Sequence, residues 1–457
     1  MSGDASGAPS GDARAADFFR ADLAELLRLA GPVVVSRVGV MTMGLTDAVV
    51  VGRYSAIQLG YQALGWSLVS VVLVTSMGLL GGIQVMASRA IGEQRPRYAG
   101  AALRRGLVYA FWIGIVSMSM LLICGPAVLR FSGISQALSN GARGPMIILA
   151  SSLPIYCLSV AAGSWMEGLG RPRPVMVCMG VANLVNLVVN LVLVPGAFGA
   201  PALGAQGAAC ATFASRVVLT LAILAYVARM RDARALGVFD KPDLDPARET
   251  EQRRIGYGNG ASSFFEMGAF TAMTFIAGVL GALTVAAYTV VLNVVSFVFM
   301  VPLGLATATA VMVGRAYGAR QPAALNRAAF VGLSVTALFG LLAVAVVWPD
   351  ARLIALGYTT NRATVAMAAA GMALACLFLI PDALQVVAAQ CLRARGDIVV
   401  PTFTHLASYM LVMVPLAWFL AIRLNWGISG IVTAITAASF LSAGLLIGRF
   451  RMLARRD

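Results

Sequence analysis

Charge is scarce in this sequence. Only 12% of its 457 residues are Asp, Glu, Lys or Arg, and 60% are apolar, whereas an ordinary globular chain is about a quarter charged. So few charges cannot clothe a water-facing surface, and an ordinary soluble protein is excluded. Histidine occurs once, at His405, which rules out a metal site built on several histidines. The six cysteines (Cys124, Cys157, Cys178, Cys210, Cys376 and Cys391) lie in or at the ends of apolar stretches without paired spacing. They are expected to pack as small apolar groups, forming neither disulfides nor metal ligands. The chain has no Gly-x-Ser-x-Gly elbow, no His-x-x-x-His pair and no phosphate-binding ATP loop. An embedded enzyme is therefore only a remote alternative, and energy for any transport must come from an ion gradient. Sustained period-two alternation is also missing, which excludes an outer-membrane barrel.

What the sequence has instead is long apolar runs. A membrane-crossing helix needs roughly 20 apolar residues, and runs between charged or Gly/Pro breaks predict twelve: 26–52, 61–86, 102–125, 141–165, 174–196, 204–228, 256–282, 286–313, 327–348, 364–391, 399–422 and 428–448. The expected fold is an all-α integral membrane protein. An even number of spans places both termini on one side. That side, with its loops, collects 26 of the 34 basic residues, and short loops rich in Arg and Lys stay in the cytoplasm. Both termini are thus expected in the cytoplasm. The net charge of +15 follows from basic residues spread along that edge against anionic lipid, and it calls for no nucleic-acid partner.

The longest hydrophilic segment, Arg229 to Arg254, falls at the middle of the chain and is expected to link two halves. A repeat supports this division: GLLGGIQVMASRAIGEQRP at 78–96 aligns without gaps to GLATATAVMVGRAYGARQP at 304–322, with eight identities at an offset of 226. Repeats of six spans share one orientation, so the halves are predicted to be related by a pseudo-two-fold axis along the membrane normal. The domain plan is a flexible cytoplasmic lead (1–25), an N-lobe (26–228), a linker (229–255), a C-lobe (256–450) and a tail (451–457). This duplication is a transporter architecture, with the substrate site between the lobes.

Of 19 acidic residues, three fall well inside apolar spans: Asp47, Glu266 and Asp382. A carboxylate there is costly and is a functional candidate by default. The fifth span carries Asn183, Asn186 and Asn190, at spacings that put three amides on one helical face. Such a stripe either bonds neighbouring helices or binds an ion. With Asp47 it offers hard oxygen ligands for sodium; alternatively, desolvation favours the protonated acid and Asp47 carries a proton. Met41, Met43, Phe265, Tyr288, Asn293, Phe299 and Gln385 sit near the acids in sequence and are cavity candidates, as is Arg37. His405 is expected to be a packed, hydrogen-bonded residue, with a proton relay as the alternative.

Six segments, in order, carry a family resemblance: GLTDAVVVGR around Asp47, MEGLGRPRPVM from Met166, NLVVNLVLVPG from Asn186, FFE ending at Glu266, AYTVVLNVVSFVFM from Ala287 and PDALQVVAAQCLRARGD from Pro381. The chain from about Leu23 to Arg449 resembles the multidrug and toxic compound extrusion (MATE) transporters, in their NorM-like branch. The resemblance implies an antiporter in a bacterial inner membrane, acting as a monomer, that exports amphipathic, often cationic compounds in exchange for Na+ or H+ and needs no further cofactor. It implies an N-lobe cation or proton site of Asp47, Asn186 and Asn190, completed by Thr212. It also implies a C-lobe pair, Glu266 and Asp382, for sodium coupling. Glu167, at a helix end in MEGLG, is expected to stabilise its loop. Arg37 departs from the family pattern; it lies roughly 15 Å along the helix from Asp47, so its partner is expected elsewhere, at Glu266 or Asp382 across the cleft, or at the cytoplasmic interface by snorkelling. The alternative cargo is a lipid-linked precursor or polysaccharide unit. That cargo would require several cleft cations for its diphosphate, and only Arg37 and Arg216 lie in spans.

Overall fold

A computed structural model describes residues 11–131, 136–241 and 245–456, and among these the regular structure is entirely helical. The helices are α1 (Gly11–Tyr54), α2 (Ala56–Leu79), α3 (Gly82–Gly92), α4 (Pro96–Phe131), α5 (Gln136–Ser151), α6 (Leu153–Gly168), α7 (Arg173–Leu193), α8 (Ala205–Arg229), α9 (Pro246–Val279), α10 (Ala282–Gly318), α11 (Pro322–Tyr358), α12 (Arg362–Arg395), α13 (Val399–Arg423) and α14 (Ile428–Ala454). Two pairs are single spans broken midway. α2 and α3 are interrupted at Leu80 and Gly81. α5 and α6 are bent by 43° at Ser152, where Pro154 in the first turn of α6 removes a backbone donor. Counted so, eleven unbent spans and one bent span make the expected twelve. α1–α8 form the N-lobe and α9–α14 the C-lobe, each around its own apolar core.

The first span continues a longer helix that reaches back into the expected lead. α1 starts at Gly11, ahead of the expected 26, so the described part of the lead is helix; residues 1–10 lie outside the described residues. Asp22 accepts from Arg327 at 2.5 Å and Glu25 from Arg315 at 2.9 Å. Leu26, Leu29 and Ala30 pack in one cluster with Leu305, Ala306 and Ala308. These contacts join the start of the N-lobe's first helix to the C-lobe, giving the segment a reason to be ordered that local sequence does not display. The linker is likewise no free tether. Ala233 and Leu236 are buried against the N-lobe, Arg104 donates to the Gly237 carbonyl, and Arg171 meets Asp232 at 2.7 Å, holding that carboxyl below its usual range. α9 then begins at Pro246, within the segment assigned to the linker, with Asp245 as its cap.

The two copies of the internal repeat cross each other at the face that carries both described chain ends. Gly92 lies against the Arg315 carbonyl, Gly318 against the Arg89 carbonyl, and Gly314 against Ser88. Gly92 and Gly318, Arg89 and Arg315, and Ser88 and Gly314 are each related by the 226-residue offset, so the crossing marks the pseudo-two-fold axis. Only glycine lets two backbones approach so closely there. The arginines lock the crossing reciprocally. Arg89 donates to the Ala394 carbonyl at 2.9 Å and to Glu251 at 2.5 Å; Arg315 donates to the Leu169 carbonyl at 2.8 Å. The lobes are therefore sealed to each other at this face.

Candidate functional site

In the N-lobe, α1, α7 and α8 bring four predicted residues together. Asp47 Oδ1 accepts from Asn186 Nδ2 at 2.9 Å and Asn190 Nδ2 at 2.7 Å, and its Oδ2 accepts from Thr212 Oγ1 at 2.5 Å. All four are buried. The i, i+4 spacing stacks the two amides on one face of α7, which fixes both donors on one carboxylate oxygen. The Oδ1 atoms of Asn186 and Asn190 are buried without a hydrogen-bond partner. A carboxylate beside two orphaned amide oxygens and a hydroxyl is a donor set suited to a hard cation or a proton. Asn183 does not join it. One turn away from Asn186 on α7, it donates to the Met179 carbonyl of its own helix.

In the C-lobe, α9 and α12 bring Glu266 and Asp382 into one neighbourhood, with Gln385 beside both carboxylates. Gln385 donates to Glu266 at 3.5 Å. Asp382 accepts from Tyr409 at 3.1 Å and Ser439 at 3.3 Å. Tyr409 and Ser439 escape sequence reading because one tyrosine or serine in an apolar run carries no positional signal. Arg393 lies just past the predicted end of its span at 391, yet it is buried and donates to Ser262 at 2.7 Å. Arg216 is buried in the N-lobe, donating to Ser152 at 2.6 Å and stacked 4.5 Å above Tyr156. His405 is packed edge-on to Tyr409 at 5.7 Å, but neither ring nitrogen has the expected hydrogen-bond partner.

Arg37 pairs with neither C-lobe acid. Its guanidinium lies 3.4 Å from Glu167 at the end of α6, inside its own lobe. The pair is 130 residues apart, so spacing could not reveal it. Three cavity candidates are also corrected: Met43 and Tyr288 belong to the lobe cores and Gln385 is fully buried. Large apolar groups lower their free energy by packing inside a lobe, not by lining water. Met41, Phe265 and Phe299 are partly exposed and Asn293 is exposed. Glu167 is buried with one charged partner, and removing that partner strands a carboxylate. Arg37→Gln is expected to cost about 1–3 kcal/mol, the cost of leaving a buried acceptor unsatisfied. A thermal-unfolding cycle with Glu167→Gln and the double variant measures it, and additive single effects would show that the pair contributes nothing.

Two six-span lobes related by an axis along the normal, each with carboxylates held in its interior, define the class of gradient-driven membrane transporters. The MatE family model matches residues 32–192 and 260–419, one match in each lobe, and the chain belongs to that family. It is 56% identical over 436 residues to a probable multidrug resistance protein NorM of Caulobacter vibrioides, covering 95% of this chain and 93% of that one. A second protein of that name, from Bradyrhizobium diazoefficiens, is 30% identical over 448 residues, covering 95% and 94%. Among solved structures, the eukaryotic MATE transporter AtDTX14 superposes with a TM-score of 0.89 at 21% identity, covering 96% of this chain and 98% of that one. The outward-facing conformation of a multidrug resistance MATE family transporter of the MOP superfamily gives 0.86 at 20%, covering 95% and 97%. At such identities these two likenesses concern the fold.

Proposed function

We propose that this protein is a multidrug efflux antiporter that expels amphipathic, cationic organic compounds in exchange for Na+ or H+. The observation that carries the reading is the Asp47 cluster: an acid buried in the N-lobe and bonded on both oxygens by Asn186, Asn190 and Thr212. The probable multidrug resistance protein NorM of Caulobacter vibrioides, more than half identical over nearly the whole chain, supports the cargo class. Arg37, Arg216 and the buried Arg393 are each engaged within a lobe, on Glu167, on Ser152 and Tyr156, and on Ser262, and this disfavours a diphosphate cargo.

In this reading the protein works as a single chain in a bacterial inner membrane, with both termini and the sealed face in the cytoplasm, so the conformation is outward-facing. Coupling requires only that ion and drug prefer different conformations. Loading a cation or proton on Asp47 neutralises the one acid of its cluster and redirects the amides and the Thr212 hydroxyl that it holds. α1 and α7 are thereby biased toward the arrangement that releases drug outward. Glu266 and Asp382 supply a second acidic centre, at which a cation loads in the C-lobe. The test is reconstitution in liposomes with sodium and pH gradients imposed separately. At least one inward cation gradient is expected to drive concentrative dye export, and Glu266→Gln is expected to reduce it severalfold. Export indifferent to both gradients would overturn the antiport reading.

A further inference from the structure

The sealed face holds a feature that ion–drug exchange does not use. A cavity of about 710 Å³ opens between the α3–α4 turn of the N-lobe and the α10–α11 turn of the C-lobe. Four guanidinium groups line it: Arg95, Arg248, Arg320 and Arg395. They come from separate segments and both lobes. Glu93 is the sole carboxylate among the described lining residues, and it is already paired with Arg248 at 2.9 Å. Neither Arg95 nor Arg320 makes an ion pair among the described residues. A basic edge meant only for solvent and lipid would spread its charges apart, since like charges repel. Here they converge on one concavity, where the charges of Arg95 and Arg320 are offset by no carboxylate among the described lining residues.

We propose that this cavity binds a phosphate group, and that it does so only while the lobes are sealed at this face. Arginine suits such a ligand, because its planar fork gives paired donors to tetrahedral oxyanions. Because the walls belong to both lobes, parting them separates Arg95 from Arg320 and dismantles the site. A ligand that binds one conformation shifts the population toward it. Occupancy therefore favours the sealed state and links transport to an anion on that side. A phospholipid headgroup and a small soluble phosphate share this chemistry. The inference does not depend on which ion or drug is exchanged.

The repeat supplies conservative variants. Gln94 and Arg320 occupy equivalent turns with nearly the same left-handed backbone, φ 57° and 55°, and Arg95 is equivalent to Gln321 at the offset of 226. Arg95→Gln and Arg320→Gln thus install at each position the residue that the other lobe uses there, and the fold is expected to tolerate both. The control is Arg231→Gln with Arg234→Gln, which removes the same charge from two exposed linker residues that do not line the cavity.

Thermal unfolding of the purified full chain is measured against inorganic pyrophosphate at constant ionic strength. It is measured separately in phosphatidylcholine bicelles with rising phosphatidylglycerol. A saturable rise in melting temperature is expected with at least one probe, and half-saturation about tenfold weaker or more in the Arg95→Gln, Arg320→Gln protein but unchanged in the control. A response to pyrophosphate alone assigns a soluble anion, and one to phosphatidylglycerol alone a lipid headgroup; each upholds the site. No saturable response to either probe, or equal weakening in both double variants, would overturn it. At saturation the probe should also slow maleimide labelling of Ser88→Cys, a position fully buried where the lobes meet. Binding without that protection would overturn the link to the sealed state.

Discussion

Asp47→Asn is expected to abolish gradient-driven export, lowering it on the order of a hundredfold, while the protein still folds and inserts. The surroundings explain why the two effects separate. Asparagine has the shape of aspartate, so its Oδ1 can still accept from Asn186 and Asn190, which now lie 2.9 and 2.7 Å away. Its Nδ2 can donate to Thr212, whose hydroxyl turns from donor to acceptor. Every buried hydrogen bond survives in kind and only the ionisable group is lost. With it goes the means by which a cation or proton distinguishes the conformations of the N-lobe. Dye efflux from energised cells, measured beside the melting temperature of the purified protein, checks both halves. Normal export by this variant would sink the assignment of Asp47.

The second large effect concerns the crossing of the repeats. In a helix, Gly→Ala normally stabilises by about 1 kcal/mol. A Cβ at Gly92 would instead overlap the Arg315 carbonyl and one at Gly318 the Arg89 carbonyl. Backbone cannot rotate away as a side chain can, so each overlap is expected to cost about 1–3 kcal/mol or more, and only while the lobes are sealed. With two such overlaps, the sealed state of the Gly92→Ala, Gly318→Ala protein should lose roughly thirtyfold to ten-thousandfold in relative population. Export should fall with it, although helix propensity has improved. Ser88→Cys, buried in the wild-type seal, should become reactive to maleimide from that face, above the signal of the native cysteines. Wild-type export with Ser88→Cys still protected would mean that the crossing is not the gate.

How much of this was legible in the sequence depended on distance along the chain. Asn186 and Asn190 could be placed on one face from their spacing, because helical geometry is local. Their relation to Asp47, 139 residues away, rested on a polar stripe needing a partner. That argument wrongly admitted Asn183, because an amide can equally bond its own helix, as Asn183 does at 2.9 Å. Arg37 shows the limit most plainly. Its charge inside a span demanded a partner, yet composition could not choose among acids, and α6 supplies Glu167 through a bend at Ser152 that no periodicity announces. Arg393 falls just past its predicted span, where positive charge ordinarily belongs to a loop. The fold instead buries it against Ser262.

By itself, the sequence determined the solvent, the twelve spans, the duplication and the three acids left in the bilayer. Each follows from what hydrocarbon does to a chain: apolar length is compulsory, backbone must close its own hydrogen bonds, and every retained charge stands out against the background. Tertiary structure decided which polar groups touch, which methionines and tyrosines are core, and which face is sealed. Those outcomes turn on contacts between residues from about 27 to more than a hundred positions apart, where a bend of 43° at Ser152 or a missing Cβ at Gly92 determines which surfaces can meet. The repeat illustrates both levels: its offset of 226 was written in the sequence, whereas the crossing of its two copies on their own symmetry axis emerged only when the lobes were packed together.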